Sequence, residues 1–457
     1  MFDMEEFFFA LGEGDELFGL CHVVRWQGTC LLHSSEQFEF RVSIMTNIAK
    51  ITLLFVVFVD LIGQGLVFPI INSLIMETNS GFLPQSTPTG QRHVYYGLVI
   101  GCFFLSWFLG VVYVSKVSDS IGRKNALLVC LGGALAGYAI TIIALYLNSL
   151  VLLILGRSIT GFTAGNQPIA QAAMIDGSTD AADRDRNMGY IITGVSFGLV
   201  GGPIIGAVLS DPSLLCSAAT LVTPFYGAFV LVLIAILLVS FFFKDTRTER
   251  APFVFRPRDI TDSLLAVRTH PMVLKILPVY ALFMIANVTF YVFVDNFLTS
   301  AWGYGVIGGS MAMVVIGVAL AFSSTFLVKP AQERFSKHAI IHTSLVAMVI
   351  CGMAFVFSPS GVLSYVPVFL FYFFFGVSYP TILGVFSSSV GEADQGWVMG
   401  VTTAVFCLAG GVMSLIGGGL MSIDIRLPYY IVILSALLGL VGMHRRWKGK
   451  EISALLA

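Results

Sequence analysis

The chain has 457 residues, 57% of them hydrophobic and only 11% charged, with a formal net charge of −1. Soluble globular proteins carry about 25% charged residues, which argues against a cytosolic enzyme, and the near-neutral balance gives no nucleic-acid footprint. The apolar runs are continuous over about twenty residues, the length of a membrane-spanning helix, and do not alternate over about ten as in a membrane barrel, so the expected fold class is all-α integral membrane.

Residues 1–44 are acidic (Asp3, Glu5, Glu6, Glu13, Asp15, Glu16), hold no long apolar run and lack the basic start of a signal peptide. Met45-Thr-Asn-Ile-Ala-Lys reads like a natural start, so residues 1–44 are expected to be an over-extended reading frame or a cytoplasmic tail. Twelve apolar segments follow, at 48–75, 94–117, 125–147, 149–175, 188–210, 219–243, 274–299, 305–328, 338–357, 362–389, 396–422 and 427–446. With both termini placed in the cytoplasm, every one of the 25 Lys and Arg residues except Arg92, Arg426 and the intrasegment Arg157 falls on the cytoplasmic side, as the positive-inside rule requires. The longest basic connection, Lys244 to Lys275, separates six segments from six. The expected organisation is a tail at 1–44, a six-helix bundle at 45–245, a cytoplasmic loop at 246–272, a second six-helix bundle at 273–447 and a cytoplasmic tail at 448–457.

The first segment carries Asp60 in its middle, with Gln64 one turn on. A carboxyl that moves between a wet cavity and a dry interior gains and loses a proton; a hydrogen-bonded structural Asp is the other reading. The loop after the second segment holds Asp119, Gly122, Arg123 and Lys124, where the acid can cap a helix start and the bases sit at headgroup level. An echo of acid, small residue and base follows the eighth segment at Glu333, Ser336 and Lys337, as expected of duplicated halves. The fourth segment buries Arg157, a charge that costs about 2.5–3.5 kcal/mol on insertion scales and so faces a bundle interior or water; Asn166, Gln167 and Gln171 lie farther along, and Arg157 is the candidate partner of Asp60. In the fifth segment Gly198, Gly202, Pro203 and Gly206 form a small-residue stripe that admits a close helix neighbour, with a Gly-Pro bend.

The seventh segment carries Asp295-Asn296 toward its non-cytoplasmic end, a second proton or substrate site on one reading and a rim residue on the other. Aromatics crowd the seventh and tenth segments; Tyr291, Tyr372 and Tyr379 are the candidates for a ligand cavity, because a buried phenol needs a partner. His93 and His338 fall at loop ends. The seven cysteines, Cys21, Cys30, Cys102, Cys130, Cys216, Cys351 and Cys407, show no metal spacing, so neither a disulfide framework nor a zinc site is expected. No Gly-x-Ser-x-Gly, His-Glu-x-x-His or P-loop occurs, so no catalytic residue, metal or cofactor is expected.

From Ile48 to Arg446 the chain resembles the major facilitator superfamily, specifically its drug:proton antiporter branch with twelve spanners, close to tetracycline/proton exporters. The resemblance rests on Asp119, Gly122, Arg123 and Lys124, on Gly156-Arg157 through Gly161 and Gly165, on Gly198-x-x-x-Gly202-Pro203-x-x-Gly206, and on Asp60 with Gly63, Gly65 and Pro69. Ser115, Ser120 and Ala207 depart from the family pattern, and the second half departs more. The resemblance implies a rocker-switch carrier driven by the proton gradient. Asp119 and Arg123 would belong to a cytoplasmic gate latched in the outward-open state. Gly202 and Pro203 would shape helix 5 and limit leak, and Asp60 with Arg157 would form the proton-coupling centre. It implies a monomer that exports a drug; Arg157 admits an anionic metabolite or siderophore instead, and the lack of an Asn-x-Ser/Thr sequon in a loop fits a bacterial inner membrane. The alternative is proton-coupled nutrient uptake by symport on the same fold.

Overall fold

The computed structural model describes residues 46–214, 219–245, 258, 261, 265–391, 394–448 and 450–456. Residues 1–44, Cys216 and most of the 246–272 loop lie outside these. The helices are α1 (Asn47–Met76), α2 (Thr89–Ile121), α3 (Arg123–Tyr146), α4 (Leu150–Phe162), α5 (Asn166–Asp176), α6 (Ala181–Ser210), α7 (Thr223–Phe242), α8 (Pro271–Trp302), α9 (Val306–Phe326), α10 (Val328–Arg334), α11 (Lys337–Val356), α12 (Tyr365–Ser388), α13 (Gln395–Met421), α14 (Leu427–Arg446) and α15 (Lys450–Leu456). Their starts follow sequence chemistry. Thr46, Ser149, Asp180 and Ser336 each accept a backbone N–H of the first turn with their side-chain oxygens, satisfying donors the helix leaves open. Gly303 ends α8 at φ +68°, the left-handed cap that glycine adopts without strain.

Among the described residues eleven helices are long and apolar enough to cross a membrane. The segment expected at 149–175 is not among them, because it is broken into α4 and α5 at Thr163–Gly165. Pro168 is the cause in the sequence. It has no N–H to return to Ala164, and its ring clashes with that carbonyl in a continuous helix. Thr163 helps close α4 by donating its hydroxyl to the Ile159 carbonyl at 2.9 Å.

Helices α1–α7 and α8–α14 make matching contacts. The pairs α1 with α6, α1 with α7, α2 with α4, α3 with α4 and α3 with α7 recur as α8 with α13, α8 with α14, α9 with α12, α11 with α12 and α11 with α14. The two most extensive contacts between these sets also match: α2 lies on α13 and α6 lies on α9, with α1 touching α8 and α9 as well. The loop echo is weaker in space than this pairing. Lys329 and Glu333 form an exposed 4.0 Å pair on the separate short helix α10, whereas the Asp119–Lys124 turn is knitted to its surroundings. The end of the bundle with that turn is called the basic end below.

At the opposite end the two sets of helices are shut against each other. A Cβ on Gly97 of α2 would come 3.0 Å from Gly418 Cα of α13, and one on Gly418 would come 2.7 Å from the His93 carbonyl. Two buried hydrogen bonds cross at the same level: Tyr96 Oη donates to the Val292 carbonyl at 2.7 Å, and Asn72 Nδ2 to Thr299 Oγ1 at 2.7 Å. Arg92, only 1% exposed, pins the turn beside them by donating to the Ile75, Pro84 and Thr87 carbonyls.

Candidate functional site

Asp60 sits where the broken helix restarts. Its Oδ1 accepts from Asn166 Nδ2 at 3.2 Å, and the backbone N–H of Gln167 also faces it. Both donors belong to the first turn of α5, whose open N–H groups and positive dipole end favour an anion. Discontinuous helices use such ends to hold anionic groups at mid-membrane; here the group at the helix start is a carboxyl of the protein itself.

Asp60 and Asn166 share a cavity of about 30 Å³ with Gln64, Phe103, Tyr138, Arg157 and Thr160. On the ~10–15 Å³ that a water centre needs it has room for about two waters. It is far below the ~300–1,000 Å³ of a drug-sized site. Arg157 is 1% exposed, and its carbon Cζ lies 4.3 Å from the centre of the Phe103 ring, a cation–π contact worth up to about 2 kcal/mol when desolvated. The expected Asp60–Arg157 ion pair is not formed. Among the described residues Arg157 Nε and Nη2 have no hydrogen-bond partner, and Asn166 occupies the Asp60 oxygen. The reason is the helix break, which swings the α5 start toward Asp60 and leaves Arg157 on α4. Tyr138, absent from the sequence-based candidates, faces Arg157 and rests on Gly63, where a Cβ would meet its hydroxyl. A lone Tyr in an apolar run gives no signal for this.

The basic-end turn is a network inside the first set of helices. Arg123 donates from Nε to Asp176 Oδ2 at 3.0 Å, and from Nη1 to Ser118 Oγ at 2.8 Å and Asp119 Oδ1 at 3.1 Å. Asp119 lies in the last turn of α2 and is not the cap of α3. That role belongs to Asp245, whose Oδ1 accepts the Arg123 backbone N–H at 3.0 Å. Gly122, at φ +91°, leaves the Asp245 carboxyl room that any Cβ would fill. Lys124 donates to the Ser240 carbonyl at 2.7 Å. These contacts tie α2, α3, α5 and the end of α7 together.

The glycine stripe of α6 faces α1. A Cβ on Gly198 would come 2.6 Å from Leu61 Cβ, one on Gly202 2.8 Å from the Ile62 carbonyl, and one on Gly206 3.3 Å from Leu66. Pro203 Cδ lies 2.7 Å from where Gly65 would carry a Cβ. The stripe thus holds α6 against the helix that positions Asp60.

The remaining candidates do not join Asp60. Gln167 and Gln171 are half-buried on α5 outside the cavity lining. Tyr291 meets Phe68 edge-on at 5.3 Å and Tyr372 at 6.5 Å. Tyr372 donates to the Asn287 carbonyl at 3.3 Å, and Tyr379 stacks on Phe375 at 5.3 Å. Tyr291, Tyr372, Tyr379 and Phe375 belong to the second half, and Phe68 reaches Tyr291 from α1 of the first. Asp295 is 1% exposed. His93, expected at a loop end, is 2% exposed within α2, because the chain is already helical from Thr89.

The sequence model of the Major Facilitator Superfamily matches residues 53–414. The chain belongs to this superfamily. Among its relatives, the class C tetracycline resistance protein of Escherichia coli is 27% identical over 369 residues, covering 79% of this chain and 87% of that protein. The quinolone resistance protein NorA of Staphylococcus aureus (strain MSSA476) is 25% identical over 392 residues, covering 85% and 94%. The fold is shared with the human organic anion transporter MFSD10, with a TM-score of 0.66 at 18% identity over 87% of this chain and 99% of that one. It is shared equally with a D-xylose-proton symporter, with a TM-score of 0.68 at 14% identity over 88% and 98%. This superfamily member is a multi-pass membrane protein and a secondary transporter of small organic molecules, not an enzyme.

Proposed function

We propose that this transporter exports a small organic molecule, a drug, metabolite or siderophore, in exchange for protons across the inner membrane, as a member of the drug:proton antiporter branch. The basic end is cytoplasmic on this reading, following the positive-inside rule. The halves 45–245 and 273–447 rock about a central substrate space between Gln64 on one side and Tyr291 and Tyr372 on the other. The present state is closed to the outside.

The observation that carries the reading is that Asp60 and Arg157 face one water-sized cavity without pairing. A guanidinium stays charged at all physiological pH. An ionised Asp60 is attracted to it across the cavity, and a proton on Asp60 relieves that attraction. A substrate cation competes with the proton for the same carboxylate. Two ligands that exclude each other at one site give obligatory exchange. The likeness in sequence to tetracycline and quinolone resistance proteins supports the direction.

The test uses proteoliposomes with an imposed pH gradient and a trapped pH dye. Lipophilic cations, tetracycline-like zwitterions, amino acids and polycarboxylates are added in turn. Proton flux opposite to substrate movement is expected. Flux in the same direction would assign uptake by symport, and no flux with any class would reject proton coupling.

A further inference from the structure

A second buried carboxyl lies far along the chain from Asp60, at the closed end of the bundle. Asp295 of α8 is 1% exposed, and its Oδ2 has no hydrogen-bond partner among the described residues. Its carboxyl rests directly on the α9 backbone at Gly309, where any Cβ would overlap it. The side chain of Asn72, from α1, faces it, and Asn72 also donates across the interface to Thr299. Two further orphan polar atoms, His93 Nδ1 of α2 and Asn296 Nδ2 of α8, are buried beside this seam. Both sets of helices therefore contribute to one dry polar cluster, centred on an acid.

The charged or titratable groups that face Asp295 are Glu77 from the end of α1, Tyr96 from α2, Tyr365 from α12 and Tyr429 from α14, with His93 one contact away through Asn296. No cation is among them, and the nearby Arg92 is spent on the backbone carbonyls already named. An ionised carboxylate buried without a cation is strongly disfavoured. A neutral carboxyl fits the same seat without that cost. Glu77 lines an outer cleft of about 640 Å³ together with Asp211, Asn79 and Gly305, and Gly305 lies one turn before Gly309.

We propose that Asp295 is a second proton-binding site that operates the outer gate. A proton taken from the outer solvent by way of the Glu77 cleft binds the Asp295 carboxylate and lets it seat on Gly309 beside Asn72, which closes α2 on α13. Loss of that proton unseats the carboxylate and opens the outer face. This rests on the alternating-access reading above, and assigns the outer gate a proton separate from the one at Asp60.

The experiment places spin labels on Gln91 and Ile423, both exposed at the closing ends of α2 and α13, in the full chain without other cysteines, in lipid nanodiscs. Inter-label distances are read in mildly acid and mildly alkaline buffer. The unsubstituted gate is expected to show one short distance in acid and a growing longer population in alkali. Asp295→Asn, which keeps the shape and removes the charge, should stay short in both. Gly309→Ala, which fills the seat, should show the longer population even in acid, so the two variants move the gate in opposite directions. Asp60→Asn should keep the unsubstituted response. A gate insensitive to pH, or an Asp295→Asn gate that still responds, overturns the proposal. Loss of the response in Asp60→Asn but not in Asp295→Asn assigns the sensor to Asp60 and also overturns it. A pH-driven gate in a protein that shows no substrate-linked proton flux would reject the exchange reading and leave this site standing.

Discussion

Asp60 accepts its hydrogen bond from Asn166 at 3.2 Å and leaves Arg157, in the same cavity, without a carboxylate partner. The acid is thereby held at the start of α5 by neutral donors, and the one strong cation nearby is free to respond to its charge. Asp60→Asn should abolish gradient-driven transport while leaving the protein folded. Undiminished gradient-driven transport in that variant would remove Asp60 from the coupling. Asn166→Ala should cost about 1.5–3 kcal/mol, the range for a hydrogen bond to a charged group, read as a lower melting temperature in detergent.

The helix break is testable by itself. Pro168→Ala removes a residue about 3 kcal/mol unfavourable inside a helix, so α4 and α5 should grow toward each other. Hydrogen exchange of the amides at 163–167 should slow, and transport should fall as the Gln167 N–H is withdrawn from Asp60. Unchanged exchange would mean that Gly165 alone keeps the break.

At the α1–α6 contact, bulk is the variable. Gly202→Val places atoms against the Ile62 carbonyl, which a Cβ alone would approach to 2.8 Å. Overpacking of this kind costs about 1–3 kcal/mol. Melting temperatures should fall in the order Gly, Ala, Val at this position, and a flat series would show that α6 moves aside freely.

Arg123 makes its three side-chain contacts through the fork of a guanidinium. Lysine has one charged point and no fork, so Arg123→Lys should not restore the transport lost in Arg123→Ala. Because Asp119 and Asp176 are partly exposed, stability should change by less than about 1 kcal/mol. A large melting shift with normal transport would make the turn a structural clamp only.

Asp183 joins the starts of α1 and α6 at the basic end. Hydrogen bonds from Lys50 and then Arg186 hold its carboxyl down from 3.8 to about 2. A depressed carboxyl adds stability that is fully present above its unfolded value and lost as pH falls through its folded one. Unfolding measured between pH 3.8 and about 2 should therefore show a loss in the native chain that Asp183→Asn lacks. Parallel curves for the two proteins would show that the Lys50 contact does not form in solution.

Sequence alone determined what local chemistry and solvent dictate. Runs of about twenty apolar residues have no other home than a bilayer, and the Lys and Arg distribution orders their connections. That Asp60 and Arg157 face the bundle interior was legible because a charge in an apolar run is too costly to leave in lipid; both line one cavity. The break at Thr163–Gly165 follows from Pro168, although residues 149–175 form one apolar segment in the sequence. Tertiary structure decided which groups meet. Asp245 caps α3 from more than a hundred residues away, Asp295 of α8 settles on Gly309 of α9, and Asn166 takes the place expected of Arg157 at Asp60. These outcomes follow from helix packing at backbone contact, where glycines fix which faces touch. The polarity of a residue is written in the chain; the partner that satisfies it depends on a geometry that only the packed bundle supplies.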